Sequence, residues 1–560
     1  NDAANWFMGI DGGNSDAFTV ASAVDGSDKL VIDSSGNVII ASTGGTLQTA
    51  TAGTSNFRAG VNAGNSITSG GIYNVLVGDE AGTAITTGDQ NVAIGFESLK
   101  TEDTGSRNTA VGAYTLNVLN NDAQSYNTAM GYAAGLSITT GVQNTLIGGL
   151  AGDALTDADI NVAIGYNALT ADTLGSNSTA IGYSALAAQN FTTATDSFNV
   201  AVGRSAGLSV TTGVKNVLVG GLAGDAITDA DENVAVGYDA LGANTLGSKS
   251  TAIGHQTLAT QNYTTATEAF NTAVGHFAGN AVTTGVQNTF VGGLAGDATD
   301  DGQFNVAVGY LALSANCGDH NTAIGHRALL ATTGSFNTAL GKEAGTAVTT
   351  GVQNTLIGAS AGDALTDADY NVAVGMGALG ADTLGSRSVG IGSFVLQNQN
   401  FTTATDSYNT AVGYGAASEI TTGIRNTIIG ASAGDALTDA DYNVAIGYQA
   451  LSADTLGSRS VAIGYQALEA QNLTTATDVY NVAIGFDAGQ AITTGEQNTI
   501  VGGLAGDALT VGQNNVVMGV SALSSDVGGS RTVAIGRGAL EAQNMGSTDT
   551  NSHNVAVGYG

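Results

Sequence analysis

The residues of this chain best suited to chemistry are the acids of a recurring turn. The segment AGDALTDAD begins at Ala151, Ala361 and Ala433, and close variants begin at Ala223 and Ala295. Asp153, Asp157 and Asp159, together with turn carbonyls, could offer hard oxygen ligands to Ca²⁺. No EF-hand-like or glycine-aspartate nonapeptide pattern accompanies them. The pattern therefore favours a solvated acidic turn, so that no metal or other cofactor is expected, with Ca²⁺ binding at these three residues as the alternative.

No set of side chains has the pattern of a catalytic site. Glycoside cleavage needs one particular pair of carboxylates in a cleft, whereas nearly every acid here belongs to a repeated position. Serine and threonine are abundant but lack a paired base. His255, His276 and His326 stand where other copies of the repeat have Tyr or Phe, which predicts aromatic packing at a turn, and Cys317 is interpreted as a small turn residue. Threonine pairs recur too rarely for an ice-binding row. We therefore expect no enzymatic activity.

Charge narrows the possible partners. The 560 residues contain 14 Lys and Arg against 47 Asp and Glu, for a formal net charge of −33. Nucleic acids and anionic membranes are also negatively charged and would repel the chain, so neither is an expected partner. No apolar run reaches the 18 residues of a membrane-spanning helix, and membrane insertion is not expected. Proline is absent, which leaves every backbone N–H available for a sheet.

A short motif, Asn-x-x-aliphatic-Gly, organises almost the whole chain. From Gly78 onward it occurs 28 times, with NFRAG at 56–60 as a plausible further copy, and the dominant spacing is 17 residues. The copies that follow TTG end at Gly148, Gly220, Gly292, Gly358, Gly430 and Gly502, mostly 72 residues apart. Four coils of 17, 17, 17 and 21 residues thus form a super-repeat, whose longest coil carries an insert such as NFTTATD at 190–196.

A 17-residue unit predicts a parallel β-solenoid. It is too short for a repeat of two helices, and it is rich in glycine and β-branched residues. In the motif, the second and fourth residues point to one face of the strand and the third to the other. We expect the larger second and fourth residues to fill the coil, leaving an outward face of alanines such as Ala93, Ala110, Ala163 and Ala273 to contact another chain.

The two fixed residues of the motif have predicted structural roles. The closing glycine is expected to adopt a positive φ, where a Cβ would clash. The leading asparagine is expected to stack on its equivalents and form hydrogen bonds along the solenoid axis. These structural residues include Asn144, Gly148, Asn161, Gly165, Asn271, Gly275, Asn354 and Gly358. Ser178, Ser250, Ser388 and Ser460 replace the asparagine in the long coils, so a shorter polar group is expected to be tolerated there.

The motifs NTAVG and NVAIG resemble the head repeats of trimeric autotransporter adhesins and, in longer coils, repeats of bacteriophage tail fibres. The segment NWFMGIDGG…DKLVIDSSGNVII, at 5–40, is similar to the part that precedes such repeats in phage fibres ending in a self-cleaving chaperone. The resemblance implies a homotrimer of left-handed parallel β-rolls. The coils are longer than those of the adhesins, and no coiled-coil stalk, membrane anchor or chaperone domain is visible in the sequence.

The hypothesis that follows is mechanical. We expect an all-β chain with a small N-terminal β segment (1–48), a linker (49–55) and a solenoid shaft (56–560) of 28 or 29 coils, roughly 140 Å long at about 4.8 Å per coil. As a phage tail-fibre shaft in the virion, it would hold a host-recognition element away from the particle. Its expected partners are itself, other tail or surface structural proteins, and a host cell-surface glycan or protein. The alternative is a bacterial trimeric surface adhesin or an extracellular filament subunit.

Overall fold

The computed structural model describes residues 6–11, 17–22, 28–32, 38–39 and 53–560. The chain divides into two units, the first comprising 1–178 and 190–195 and the second 179–189 and 196–560. All regular structure in the described residues is β. The predicted linker, 49–55, lies mostly outside these residues, so its boundaries remain a prediction.

The first strands of the chain form an antiparallel meander. Four strands, Trp6–Asp11, Ala17–Ser22, Asp28–Ile32 and Val38–Ile39, pair in sequence order. The register shifts between Val20 and Ala21, where the second strand meets the third. These strands pair in antiparallel fashion, whereas the described strands from Phe57 onward pair in parallel.

In both units the repeat motif forms three-residue parallel strands, one per coil. The first unit has seven: Phe57–Ala59, Val75–Val77, Val92–Ile94, Thr109–Val111, Thr128–Met130, Thr145–Ile147 and Val162–Ile164. The second has 22: Thr179–Ile181, Val200–Val202, Val217–Val219, Val234–Val236, Thr251–Ile253, Thr272–Val274, Thr289–Val291, Val306–Val308, Thr322–Ile324, Thr338–Leu340, Thr355–Ile357, Val372–Val374, Val389–Ile391, Thr410–Val412, Thr427–Ile429, Val444–Ile446, Val461–Ile463, Val482–Ile484, Thr499–Val501, Val516–Met518, Val533–Ile535 and Val555–Val557.

Within each unit, every strand pairs with its counterpart in the next coil, position for position. Thr272, for example, pairs with Thr289, and Val274 pairs with Val291. The predicted parallel β-solenoid is therefore confirmed. Additional two-residue strands occur where a long coil follows a 17-residue coil, one in each of the two. They are Gly175–Ser176, Thr195–Asp196, Gly247–Ser248, Thr267–Glu268, Gly385–Ser386, Thr405–Asp406, Gly457–Ser458, Thr477–Asp478, Gly529–Ser530 and Thr550–Asn551.

The predicted assignment of the two strand faces was wrong. The middle residue of the strand points into the coil: Ala163 and Ala273 are fully buried, and so is the larger Phe290. The flanking residues, such as Thr272 and Val274, point outward and are only partly covered. We call the rows formed by the first and third strand residues the outer strand face. The alanine face is therefore core, and the β-branched face is surface.

The coil interior explains this reversal. Six residues after the middle strand residue, the chain supplies a second inward group, and the two vary in a complementary way. Where Leu146 occupies the strand, this position is Gly152, and a Cβ added there would lie 2.9 Å from Cδ2 of Leu146. Where Ala163 occupies the strand, the position is the buried Leu169. The narrow coil is filled from its far side, so most strands leave room for only a methyl group.

The same packing accounts for the four-coil super-repeat. The coil containing Ala201 has small residues at both inward positions, because its second one is Gly207. A Cβ on Gly207 would lie 2.8 Å from Cδ1 of Leu218 and 2.9 Å from Cδ2 of Leu186. Leucines of the two adjacent coils therefore fill the space that this coil leaves. Neighbouring coils differ in composition because they share one core.

Candidate functional site

A ladder of asparagines joins the coils at the start of each strand. The backbone N–H of Asn161 donates to Oδ1 of Asn144 (2.9 Å), and its Nδ2 donates to the carbonyl of Gly175 near the end of its own coil (2.9 Å). Asn354 likewise donates from Nδ2 to the carbonyl of Ala368 (2.7 Å) and accepts from the N–H of Asn371 (3.0 Å). Each asparagine thus satisfies a buried carbonyl at the end of its own coil and the buried N–H of the ladder residue in the next coil. These backbone contacts come in addition to the predicted stacking.

A column of glycines closes the strands. Gly148, Gly165, Gly275 and Gly358 have φ between 134° and 141°, a region that L side chains rarely adopt. A Cβ on Gly148 would lie 2.3 Å from the carbonyl oxygen of Gly165, its counterpart in the next coil. The positive φ expected from the sequence is present. The glycine column also lets adjacent coils approach closely, which a side chain would prevent.

Serine replaces the ladder asparagine only where a glutamine compensates. In the coil that begins at Ser388, Nε2 of Gln399 donates to Ser388 Oγ (2.8 Å), and its Oε1 accepts from Asn409 Nδ2 (2.9 Å). Gln471 does the same between Ser460 and Asn481. The sequence predicted that a shorter polar group is tolerated at this position. The structure shows that the glutamine eleven residues later supplies the missing amide.

Aromatic and cationic side chains flank the outer strand face on both sides. After the closing glycine, the His255 ring stacks on Tyr238 (centroids 5.4 Å apart) and on His276 (5.2 Å). Before the ladder residue, the Arg387 guanidinium lies over the rings of Tyr370 (4.7 Å) and Tyr408 (5.8 Å). These contacts run from coil to coil. The histidines thus take part in aromatic stacking, as the sequence predicted.

The three candidate Ca²⁺ ligands do not converge. Asp153 accepts a hydrogen bond from Thr170 Oγ1, Asp157 accepts one from Thr140 Oγ1, and Asp159 Oδ1 caps the N–H of Val142 (2.8 Å). Each carboxylate thus binds a different neighbouring segment. In the part of the chain that the structure describes, no three His, Cys, Asp or Glu side chains form a group able to hold a metal ion.

Cys317, interpreted from the sequence as a small turn residue, is buried. Its thiol lies 3.3 Å from Oγ1 of Thr299, and burial raises its pKa to about 11. A thiol with so high a pKa is almost entirely protonated at neutral pH and is a poor nucleophile. The residue therefore belongs to the core of its coil.

Sequence reasoning missed a set of buried acids. Eleven residues after the ladder residue, where other coils have Leu155 or Ile138, some coils place an acid or its amide, all fully buried: Glu102, Asp172, Asn244, Asp382, Asp454 and Asp526. Asp382 Oδ1 accepts hydrogen bonds from the N–H groups of Gly385 (3.0 Å) and Phe401 (3.3 Å). Its Oδ2 accepts a hydrogen bond from Nε2 of Gln399 (2.5 Å). The recurring segment ADTLGS, which contains Asp172, Asp382 and Asp454, is the sequence feature that could have indicated these acids. The acids cap buried turns, as Asp382 and Asp454 do through Gly385 and Gly457.

The buried acids predict that stability decreases as pH rises. Burial raises the pKa of Glu102 to about 7 and also raises those of Asp382 and Asp454. The folded state therefore binds protons that the unfolded chain releases, so the free energy of unfolding falls between about pH 4.5 and 7 and levels off above that. For Glu102 alone the fall is on the order of 3 kcal/mol. Urea unfolding across this pH range measures it.

The variant that isolates this effect is Glu102→Gln, which removes one titrating group from the buried position. We expect a shallower decline of stability with pH in this variant. Glu541→Gln, at an exposed position, is the matched control and should keep the wild-type slope. An unchanged slope in the Glu102 variant would show that its carboxyl does not titrate in this range.

Comparison with known proteins gives no match to a protein-family model, to a curated protein or to a solved structure. In the described residues, no helix has the length and apolar character that crossing a membrane requires. The site that remains as a functional candidate is the outer strand face with its flanking aromatic rows. It recurs in every coil and carries large apolar side chains at the surface.

Proposed function

We propose that the chain is a structural shaft of the phage tail-fibre type, in which copies of the chain associate through the outer strand face. The observation that carries the proposal is the apolar surface of that face. Its third-position side chains are substantially exposed, including Ile94, Met130, Ile253, Val291, Leu340, Ile391, Ile429, Ile484 and Met518. Large aliphatic side chains that line up within a unit favour burial against another surface.

The size of the face supports this proposal. In the second unit, 22 strands at about 4.8 Å and a width of about 7 Å between the two outward rows give an area on the order of 700 Å². A specific protein–protein interface buries about 800 Å² per partner. The flanking aromatic rows would widen the contact further.

The partner proposed for this face is another copy of the chain. Each copy offers the same rows at the same spacing, so two copies can match along their length without any change of register between coils. The number of copies, three, comes from the resemblance to trimeric adhesin heads. A shaft suits a chain whose coils repeat the same chemistry, because added coils would change length and leave the surface unaltered.

Charged substitutions on the outer strand face should abolish self-association. We expect the wild-type chain to have the mass of a trimer by multi-angle light scattering and to form thin rods in electron micrographs. The double variant Val274→Lys, Val291→Lys places like charges in adjacent coils and should give monomers at micromolar concentration. Thr264→Lys with Thr265→Lys, in an exposed insert, is the control and should remain trimeric.

A wild-type chain that is monomeric at all concentrations, or that forms compact particles, would contradict the proposal. Circular dichroism distinguishes dissociation from unfolding, since a folded monomer keeps its β spectrum. The alternative function, a bacterial surface adhesin or extracellular filament subunit, is favoured by the exposed inserts of the long coils. Deleting those inserts should then abolish adhesion to cells while leaving self-association intact, whereas a simple shaft would show no adhesion to lose.

A further inference from the structure

We propose that the inserts of the long coils present acceptor sites for N-linked glycosylation on the folded protein. Each insert contains Asn-x-Thr, the acceptor pattern for this modification. The acceptor residues are Asn190, Asn262, Asn400 and Asn472. All four side chains are exposed. The ladder asparagines are excluded, because the residue two positions after each of them is never Ser or Thr.

The local structure turns both recognised side chains outward. Phe401, the middle residue of one insert motif, is 5% exposed and anchors the turn in the core. On either side of it, Asn400 and Thr402 are exposed. Tyr263 and Leu473 occupy the same buried position in two other inserts, at 5% and 6% exposure. The alternation of exposed, buried and exposed residues is thus fixed by packing.

Hydrogen bonding leaves the acceptor nitrogen available. The backbone N–H of Asn400 donates to the carbonyl of Thr421 (2.9 Å), and its Oδ1 accepts from Thr383 Oγ1 (3.0 Å). Asn262 Oδ1 accepts from Thr245 Oγ1 in the same way (2.7 Å). In the described residues, Nδ2 of Asn400 and the hydroxyl of Thr402 have no protein partner. The amide oxygen is held in place while the nitrogen faces solvent.

The reaction is a group transfer from an activated sugar. Nδ2 of the asparagine attacks the anomeric carbon of a nucleotide-linked sugar, a carbon–nitrogen bond forms, and the bond from that carbon to the phosphate oxygen breaks. The nucleoside diphosphate leaves with the electron pair of that bond, and a base of the transferase takes the amide proton. No oxidant or reductant is needed. Asn400 and Asn472 are four coils apart, so their sugars would stand about 19 Å apart along one edge of the second unit.

The chain contains internal controls for this proposal. Asn177 also begins an Asn-x-Ser/Thr sequence. However, Ser178 is buried and Thr179 is the first residue of the strand Thr179–Ile181. The folded chain should therefore not present Asn177 to an enzyme. Asn398 is exposed in the same turn as Asn400 but lacks Ser or Thr two positions later. Modification that depends on folding and on the motif should spare both residues.

The test uses the full purified chain, a soluble asparagine glycosyltransferase of Asn-x-Ser/Thr specificity, and UDP-glucose. Peptide mass spectrometry should find one hexose on each insert asparagine of the folded protein and none on Asn177 or Asn398. Thr402→Ala should abolish modification at Asn400 and leave Asn262 and Asn472 modified. The urea-unfolded chain, diluted into the reaction, shows whether the enzyme accepts these sequences at all.

Three outcomes would overturn the proposal. The first is modification of the unfolded chain alone, which would mean that the folded inserts are not accessible. The second is equal modification of Asn177 in the folded chain, which would mean that the fold does not determine which Asn-x-Ser/Thr sequences are modified. The third is no modification in either state, which would mean that these sequences are not acceptors. The proposal does not depend on self-association, because the monomeric outer-face variant should be modified at the same residues.

Discussion

Replacing Gly275 with alanine is expected to destabilise the coils around it by about 4 kcal/mol. The residue has φ of 141°, and a Cβ would lie 2.4 Å from the carbonyl oxygen of Gly292 in the next coil. Adopting such a φ with a side chain costs about 1–3 kcal/mol, and the forced separation of two packed coils adds a similar amount. Urea unfolding, with hydrogen exchange of the coils between Gly254 and Gly292, measures the loss and locates it.

Gly503→Ala is the matched control. Gly503 directly follows the closing glycine of its coil, but the only neighbour of an added Cβ is the carbonyl oxygen of Phe486 at 3.9 Å. We expect a change within about 0.5 kcal/mol, as for an ordinary surface substitution. Equal destabilisation by both variants would mean that these turns need glycine for its backbone flexibility in general. It would contradict a specific requirement for close approach between coils.

Replacing Asn354 with leucine should cost about 4 kcal/mol, although leucine has a similar size and greater hydrophobicity. The change leaves the N–H of Asn371 without its acceptor and the carbonyl of Ala368 without its donor, and both hydrogen bonds are buried. Each unsatisfied buried group costs about 1–3 kcal/mol. Thermal and urea unfolding measure the effect, and hydrogen exchange should show faster exchange at the Asn371 amide.

Two further variants test the reason for that loss. Asn398→Leu removes an exposed asparagine whose amide reaches only the Glu419 carboxylate, and it should change stability by less than about 0.5 kcal/mol. Asn354→Ser should also destabilise, because this coil has Leu365 where the natural serine coils have glutamine. If Asn354→Ser proved neutral, the compensating role assigned to Gln399 and its equivalents would be wrong.

Periodicity alone predicted much of the fold. The 17-residue spacing of the Asn-x-x-aliphatic-Gly motif predicted one coil per repeat in parallel register, and the pairing of Thr272 with Thr289 confirms this for a representative pair of coils. The roles of Asn161 and Gly165 followed from the same spacing. A solenoid makes these predictions reliable because each residue meets its own counterpart in the next coil, so a local pattern repeats as a tertiary contact.

The buried acids and the glutamine substitution could not be predicted with the same ease. Asp382 stands where about half of the coils have an aliphatic residue, and in sequence it looks like one more acid of a polar turn. Its burial depends on donors from Gly385, Gln399 and Phe401, two of which come from the adjacent coil. These partners lie one coil away and occur only in the long coils. A motif defined by its commonest residues therefore does not reveal them.

The sequence by itself determined the β-solenoid, its coil length, its register and the conformations required of its glycines. Only the tertiary structure decided which strand face is inside. Hydrophobicity favoured burial of Val274 over Ala273, but the space inside a coil is set by the other buried residues, such as Val282 of the same coil and Leu258 of the preceding one, which are both fully buried. They leave room for a methyl group alone, and the larger aliphatic side chains therefore form the surface on which the proposed association depends.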